Sequence, residues 1–335
     1  MIQEQSVERK SPDLRSALWY KRFRVKPDYA IWVVIIFLVG IPAATNPAFR
    51  SLTNLQGIAQ SSSVLIVLAM GQAVVLLMAG VDLSIGALAD LGSVLIAMLL
   101  TAHWSLILSI VVMALVIGVL GFINGLGVAR LRIPSFIVSF GMMGLAGAIG
   151  LEISQGTPIP LPATSNLSNL VYNSFGGIAD DFWLALGLLV LLSLALHYLP
   201  FGRHLYAVGS NRQAARVSGV RVERTIIWGF IIAALMASLA GVVYASQVMS
   251  GDPTGGVNLN LESIAAAVIG GVSLFGGKGK IWGAFIGALV YSLITNVLNV
   301  YGVNPNLAEL VSGVVIIGAS YVSVLGQRGG ARHGN

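Results

Sequence analysis

The chain has 335 residues, 56% of them hydrophobic and 10% charged, with a formal net charge of +6. Ordinary soluble domains carry about a quarter of their residues as charges, so that class is excluded. There is no Cys, and His103, His197, His204 and His333 lack metal-ligand spacing, so neither a disulfide framework nor a metal site is expected.

The N-terminal stretch, residues 1–29, carries acids and lacks the apolar core and small-residue cleavage site of a signal peptide. It is expected to be a retained cytoplasmic arm with some amphipathic helix on the membrane surface. Ten apolar segments follow, at about 30–45, 58–80, 84–102, 105–128, 134–154, 182–199, 225–248, 262–276, 281–301 and 307–325. Several reach the roughly 20 residues a helix needs to cross a bilayer. The expected fold is an all-α polytopic membrane protein, with one transmembrane domain over 30–325 and a tail at 326–335. A β-barrel would alternate apolar and polar residues instead. The eighth segment is short and Gly-rich, which predicts a broken or re-entrant helix near 262–280.

Charge sets the expected orientation. With the N-terminus inside, eighteen of the nineteen Lys and Arg fall in cytoplasmic segments, and only Arg50 falls outside. Both termini are then cytoplasmic, and the basic balance is a topology signal, not a sign of nucleic-acid binding. The long outer loop, 155–181, is rich in Pro, Asn and Ser and predicts turns or short helices. A second outer loop at 249–261 is either a docking surface or a plain connector. Gly80–Gly86 and Gly271–Gly277 form a faint internal echo, of the kind transporter repeats leave.

Little in the chain suggests catalysis. Gly276-Gly277-Lys278-Gly279-Lys280 lacks both the leading Gly and the trailing Ser or Thr of a phosphate loop. Polar residues inside the spans are few. Asp82 and Ser84 stand where a helix N-cap belongs, or at a gating joint between the second and third spans. Asp90, two turns beyond Asp82, must face protein or water, in a structural hydrogen bond or on the translocation path. Gln72, Asn124 and Asn296 are candidates for interhelical hydrogen bonds or for the path. An ion-coupled carrier needs ionisable groups deep in the membrane, and their scarcity points to energy supplied from elsewhere.

The loop at 200–224 carries Arg203, Arg212, Arg216, Arg221 and Arg224. Residues 211–217 favour a short helix, with Ser210 or Asn211 as N-cap and Gly219 as stop. Its small Ala214 and Ala215 beside Arg212 and Arg216 suit docking to a protein groove better than lying on anionic lipid.

These motifs, taken together and in order, resemble the permease subunits of bacterial ATP-binding-cassette importers for ribose, xylose, arabinose and galactose. The resemblance runs from about Leu52 to Leu325 and rests on Met78–Gly86, Gly121–Gly125, Pro134–Val138, Tyr206–Asn211, Ala214–Val220, Gly270–Ser273, Gly276–Gly279 and Gly283-Ala284. Ser210, and Ser139-Phe140-Gly141, depart mildly from the family pattern.

The resemblance implies a monosaccharide importer in the bacterial inner membrane with no nucleotide site of its own. A separate ATPase would bind ATP and Mg²⁺ and grip Gly209, Ser210, Asn211, Arg212, Ala214, Ala215, Arg216, Ser218 and Gly219. A periplasmic sugar-binding protein would dock outside, and a second permease subunit, identical or related, would complete the pore. Permeation or gating would fall to Gln72, Asp82, Ser84, Asp90, Asn124 and Asn296. The alternatives are a permease for another small polar solute (a nucleoside, a polyol or a branched-chain amino acid) and an ion-coupled secondary carrier.

Overall fold

The computed structural model describes residues 27–304, with side chains from Ile36 onward, and four isolated positions beyond Asn304. The expected N-terminal arm, nearly all of the tenth span and the C-terminal tail lie outside the described residues.

The helices in chain order begin with α1 (Pro27–Thr45), α2 (Leu52–Leu77), α3 (Ile85–Thr101), α4 (Leu106–Ala129) and α5 (Ser135–Ser154). The long loop then holds β1 (Ile159–Pro160), α6 (Asn169–Tyr172) and the hairpin β2 (Ser174–Phe175) and β3 (Ile178–Ala179), so its expected turns and short helix are present. After α7 (Asp180–Tyr198) come α8 (Pro200–Ser210), α9 (Arg212–Val217), α10 (Val222–Val248), β4 (Ser250–Gly251), α11 (Leu259–Ile269) and α12 (Ile281–Val300). Among the described residues six helices, α2, α4, α5, α7, α10 and α12, are long and apolar enough to cross a membrane, and α3 and α11 are shorter apolar helices.

Burial separates inner from outer helices. The apolar window of α2 is 89% buried and that of α10 67%, against 22% for α4 and α5. α2 and α10 therefore form the centre, and α4 and α5 present side chains such as Leu115, Val119, Phe136 and Phe140 outward. Lipid is as apolar as these side chains, so close packing rather than water exclusion must hold such helices together. Gly121 and Gly125 supply it. A Cβ at Gly121 would stand 2.8 Å from the Phe230 carbonyl, and one at Gly125 would stand 2.7 Å from Ile227 Cα, so α4 lies directly on the α10 backbone.

Two sequence expectations change and a third is met. The loop at 200–224 is not a loop with one short helix, because Pro200–Ser210 is itself helical with Pro at its first turn, where a missing N–H costs nothing. The second span starts at Leu52 and stops at Leu77, three residues before Gly80, since Ala79 takes a left-handed φ of 57°. The break expected near 262–280 is present: the helix runs only over Leu259–Ile269, and no helix resumes before Ile281.

The stretch after Met249 also departs from an outer connector. β4 pairs antiparallel with β1, and the chain then descends beside α3. A Cβ at Gly251 would fall 2.8 Å from Ala97 Cβ, the Asp252 N–H donates to Ser93 Oγ at 3.1 Å, and a Cβ at Gly256 would fall 2.6 Å from Asp90 Oδ1. The contacts step backward along α3 as the chain advances, so 250–258 runs alongside α3 with Gly251, Pro253 and Gly256 buried against the bundle and Thr254, Gly255, Val257 and Asn258 exposed.

Candidate functional site

The Gly-rich motifs that are scattered in sequence meet at one end of the bundle. The end of α2, the end of α8 and the 270–280 turn touch through their backbones. The Gly277 N–H donates to the Leu77 carbonyl at 2.9 Å, and a Cβ at Gly209 would stand 1.8 Å from that same oxygen. A Cβ at Gly276 would meet Ala79 and the Gly209 carbonyl at 2.7 Å. Only hydrogen fits at Gly209, which is why the motif needs glycine there. Tyr206 on α8 donates its hydroxyl to the Gly279 carbonyl at 2.9 Å, and burial pushes its pKa up, so the proton stays in place. Both halves of the faint internal echo thus lie at joints between helices, α2–α3 and α11–α12, and the joints adjoin.

α9 forms as expected. Asn211 is its N-cap and accepts from the N–H groups of Gln213 at 2.9 Å and Ala214 at 3.0 Å. Gly219, with φ of 82°, ends the turn beyond it. Arg216 pairs with Glu223 in the first turn of α10, which ties α9 to a central helix. The face turned out is Arg212, Gln213, Ala214, Arg216 and Val217, the last 85% exposed. Ala215 is 4% exposed and packs against this chain's own helices, so its small side chain serves the internal seat of α9. Ser210 and Ser218 are exposed, and Gly209 is buried in the junction.

Beside α9 a cleft of about 910 Å³ opens toward the α4–α5 turn, with Arg132, Arg212 and Arg216 on its rim and Ala79, Ser135 and Phe136 in its wall. Every Lys and Arg among the described residues except Arg50 lies in the segments gathered at this end.

The six polar residues expected to serve permeation divide. Gln72, Asp82, Ser84 and Asn124 are fully buried and Asp90 is 4% exposed, all inside the bundle. Asp82 Oδ1 accepts from both the N–H and the hydroxyl of Ser84, and Asn124 donates to Ser84 Oγ at 3.0 Å. These three knit the α2–α3 joint to α4. Asp90 stands against the backbone at Gly256, its Oδ1 without a hydrogen-bond partner among the described residues; Gln72 has none for either polar atom, and nothing in the structure explains its amide. Asn296 alone lines an open groove, and it exchanges hydrogen bonds with Asn54 at 2.9 and 3.2 Å.

Ser84 holds the N-cap position of α3 but makes no capping bond. The cap comes from elsewhere: Asn260, one residue into α11, accepts from the Gly86 N–H at 2.6 Å. A side chain 174 positions away does this work, and no local pattern signals it.

A bundle of apolar helices with a basic, helix-capped surface at one end is the build of a transport-system membrane component. The family described as branched-chain amino acid transport system / permease component matches residues 54–320, and the chain belongs to it. The ribose import permease protein RbsC of Escherichia coli K12 is 32% identical over 289 residues, covering 85% of this chain and 90% of that protein. Its counterpart in Haemophilus influenzae is 32% identical over 291 residues, with the same coverage. The autoinducer 2 import system permease protein LsrC of Escherichia coli O9:H4 is 36% identical over 287 residues, covering 85% of this chain and 83% of that protein. No solved structure matches the chain. The resemblance drawn from the motifs is therefore borne out.

Proposed function

We propose that this chain is the permease subunit of an ATP-driven importer that carries a monosaccharide across a bacterial inner membrane. A separate ATPase binds ATP and Mg²⁺ and holds the outward face of α9. Both termini lie on the ATPase side, a binding protein delivers the sugar on the other, and a second permease subunit completes the pore. The observation that carries this reading is the glycine junction. The end of α8, which leads directly into α9, bears on the end of α2 and on the α11–α12 turn through backbone contacts too close for any side chain. A push on α9 therefore reaches both inner joints without soft side chains to absorb it. The sugar class follows the ribose import permeases, which align over most of this chain.

A branched-chain amino acid is the second reading, favoured by the family's description. Vesicles reconstituted with permease, ATPase and binding protein separate the two. ATP-dependent uptake of ribose, xylose, arabinose or galactose, unaffected by a protonophore, is expected. Uptake of leucine instead selects the second reading, and uptake by the permease alone under a proton or sodium gradient overturns both.

A further inference from the structure

The wall between α2, α11 and α12 holds a groove of about 200 Å³, lined in part by Ser61, Glu262, Tyr291, Thr295, Asn296 and Asn299. Residues 291, 292, 295, 296 and 299 recur at the three- and four-residue spacing of one helix face, and all are polar or phenolic. Polar side chains in membrane helices face protein or a water-filled cavity, because hydrocarbon offers them no partners. The outward face of α4 obeys the opposite rule, with Leu115 65% exposed and Val119 56%. The α12 stripe therefore does not face lipid.

Position adds a direction. The groove lies toward the start of α2 and the end of α12, away from the glycine junction at Leu77 and Gly277. Ser61 is about 14 Å along α2 from Leu52, at 1.5 Å per residue. A solute arriving from the side opposite α9 meets this groove before it reaches the joints.

We propose that this groove is the sugar-contacting wall of the permeation path; the proposal rests on the sugar-permease reading above. A monosaccharide presents hydroxyls that both donate and accept, and the groove answers in kind. Thr295 and Ser61 do both. The reciprocal pair with Asn54 uses one donor of the Asn296 amide and engages its oxygen once, which leaves a second N–H and a lone pair. Asn299 at the open end adds a further amide, while Tyr291 and Ser292 are buried behind these side chains and shape the wall. No Lys, Arg or His is among the described residues that line the groove. An amino-acid carboxylate would find no counter-charge among these residues, so the lining favours a neutral polyhydroxyl solute over an anionic one.

The chain has no Cys, so a single introduced thiol is unique in this subunit. Right-side-out vesicles holding the complete transporter are treated with a membrane-impermeant methanethiosulfonate, and ATP-driven uptake of ribose, xylose, arabinose and galactose is measured. Asn299→Cys and Thr295→Cys are expected to react and to lose at least tenfold of their uptake on treatment, with reaction slowed by the transported sugar. Leu115→Cys is expected not to react. If wild type transports a sugar but both groove variants stay unreactive or keep full uptake after labelling, the groove is not the path. A wild type that transports none of the four sugars overturns the sugar-permease reading and this proposal with it, whatever the cysteines do.

Discussion

The two ends of the inner bundle are built on opposite plans. At the α9 end, Gly209, Gly276 and Gly277 bring three backbones into direct contact, with no room for a methyl group. Near the other end, α2, α11 and α12 part around an open groove with a polar stripe. Backbone wedged on backbone is stiff and suits the transfer of a displacement, while an open polar groove suits a hydrated solute. On the proposed reading, force enters at the tight junction and the solute meets the open groove.

The comparison breaks most sharply at Gly209. Gly209→Val places side-chain atoms where the Leu77 carbonyl already stands, and overpacking of this kind costs about 1–3 kcal/mol or more. Loss of uptake by more than tenfold is expected, with a lowered melting temperature in detergent. A Gly209→Val protein that melts and transports like wild type would show that the junction is loose.

Ala215 and Ala214 sharpen the next distinction. Ala215→Trp is expected to destabilise the permease by about 1–3 kcal/mol, because Ala215 is packed inside it. Ala214→Trp, on the exposed face, is expected to leave the melting temperature within a degree or two yet weaken ATPase association in pull-down. The reverse pattern would place the docking face on the other side of α9.

Asp90 tests whether a buried carboxylate serves structure or charge. Asp90→Leu puts a branched apolar side chain against the Gly256 backbone, where overpacking costs about 1–3 kcal/mol. Asp90→Asn keeps an acceptor and is expected to retain uptake within a few-fold. Equal loss in both variants would mean that the charge itself is needed. A smaller effect is expected at the α3 cap: Asn260→Ala should cost about 1 kcal/mol, and Asn260→Asp should keep most of it, since a carboxylate still accepts from Gly86. Smallest is Arg216→Ala. Its ion pair with Glu223 is exposed, and such pairs contribute about 0–1 kcal/mol. Any large loss of transport in that variant therefore reports lost docking, not lost stability.

These residues also show what a sequence can reveal. α9 was legible because its signals are local: Asn211 caps it and Gly219 ends it within nine residues. Segregation of Lys and Arg was legible because it survives small errors in helix ends. The inward turn of Ala215 was not, because in a six-residue helix a small residue reads the same whether it faces a partner or its own core. The descent of 250–258 beside α3 was hidden for a related reason. Its Gly, Pro and Asn residues mark irregular backbone but not whether water or protein surrounds it. Among the permeation candidates, Asp82, Ser84, Asp90, Asn124 and Asn296 were all legible as polar residues in apolar surroundings. Only packing separates these four, and Gln72 with them, inside the bundle from Asn296 in the groove, and the same packing brings in Asn54 and Glu262 beside it.

The most direct test of the division between the two ends is cross-linking in the assembled transporter. Val217→Cys and Tyr301→Cys each place one thiol at an exposed site, the first at the α9 end and the second at the opposite end. The account predicts that Val217→Cys cross-links to the ATPase and stops ATP-driven uptake, while Tyr301→Cys gives no ATPase adduct. An adduct from Tyr301→Cys and none from Val217→Cys would contradict it, because the energy would then enter at the groove end.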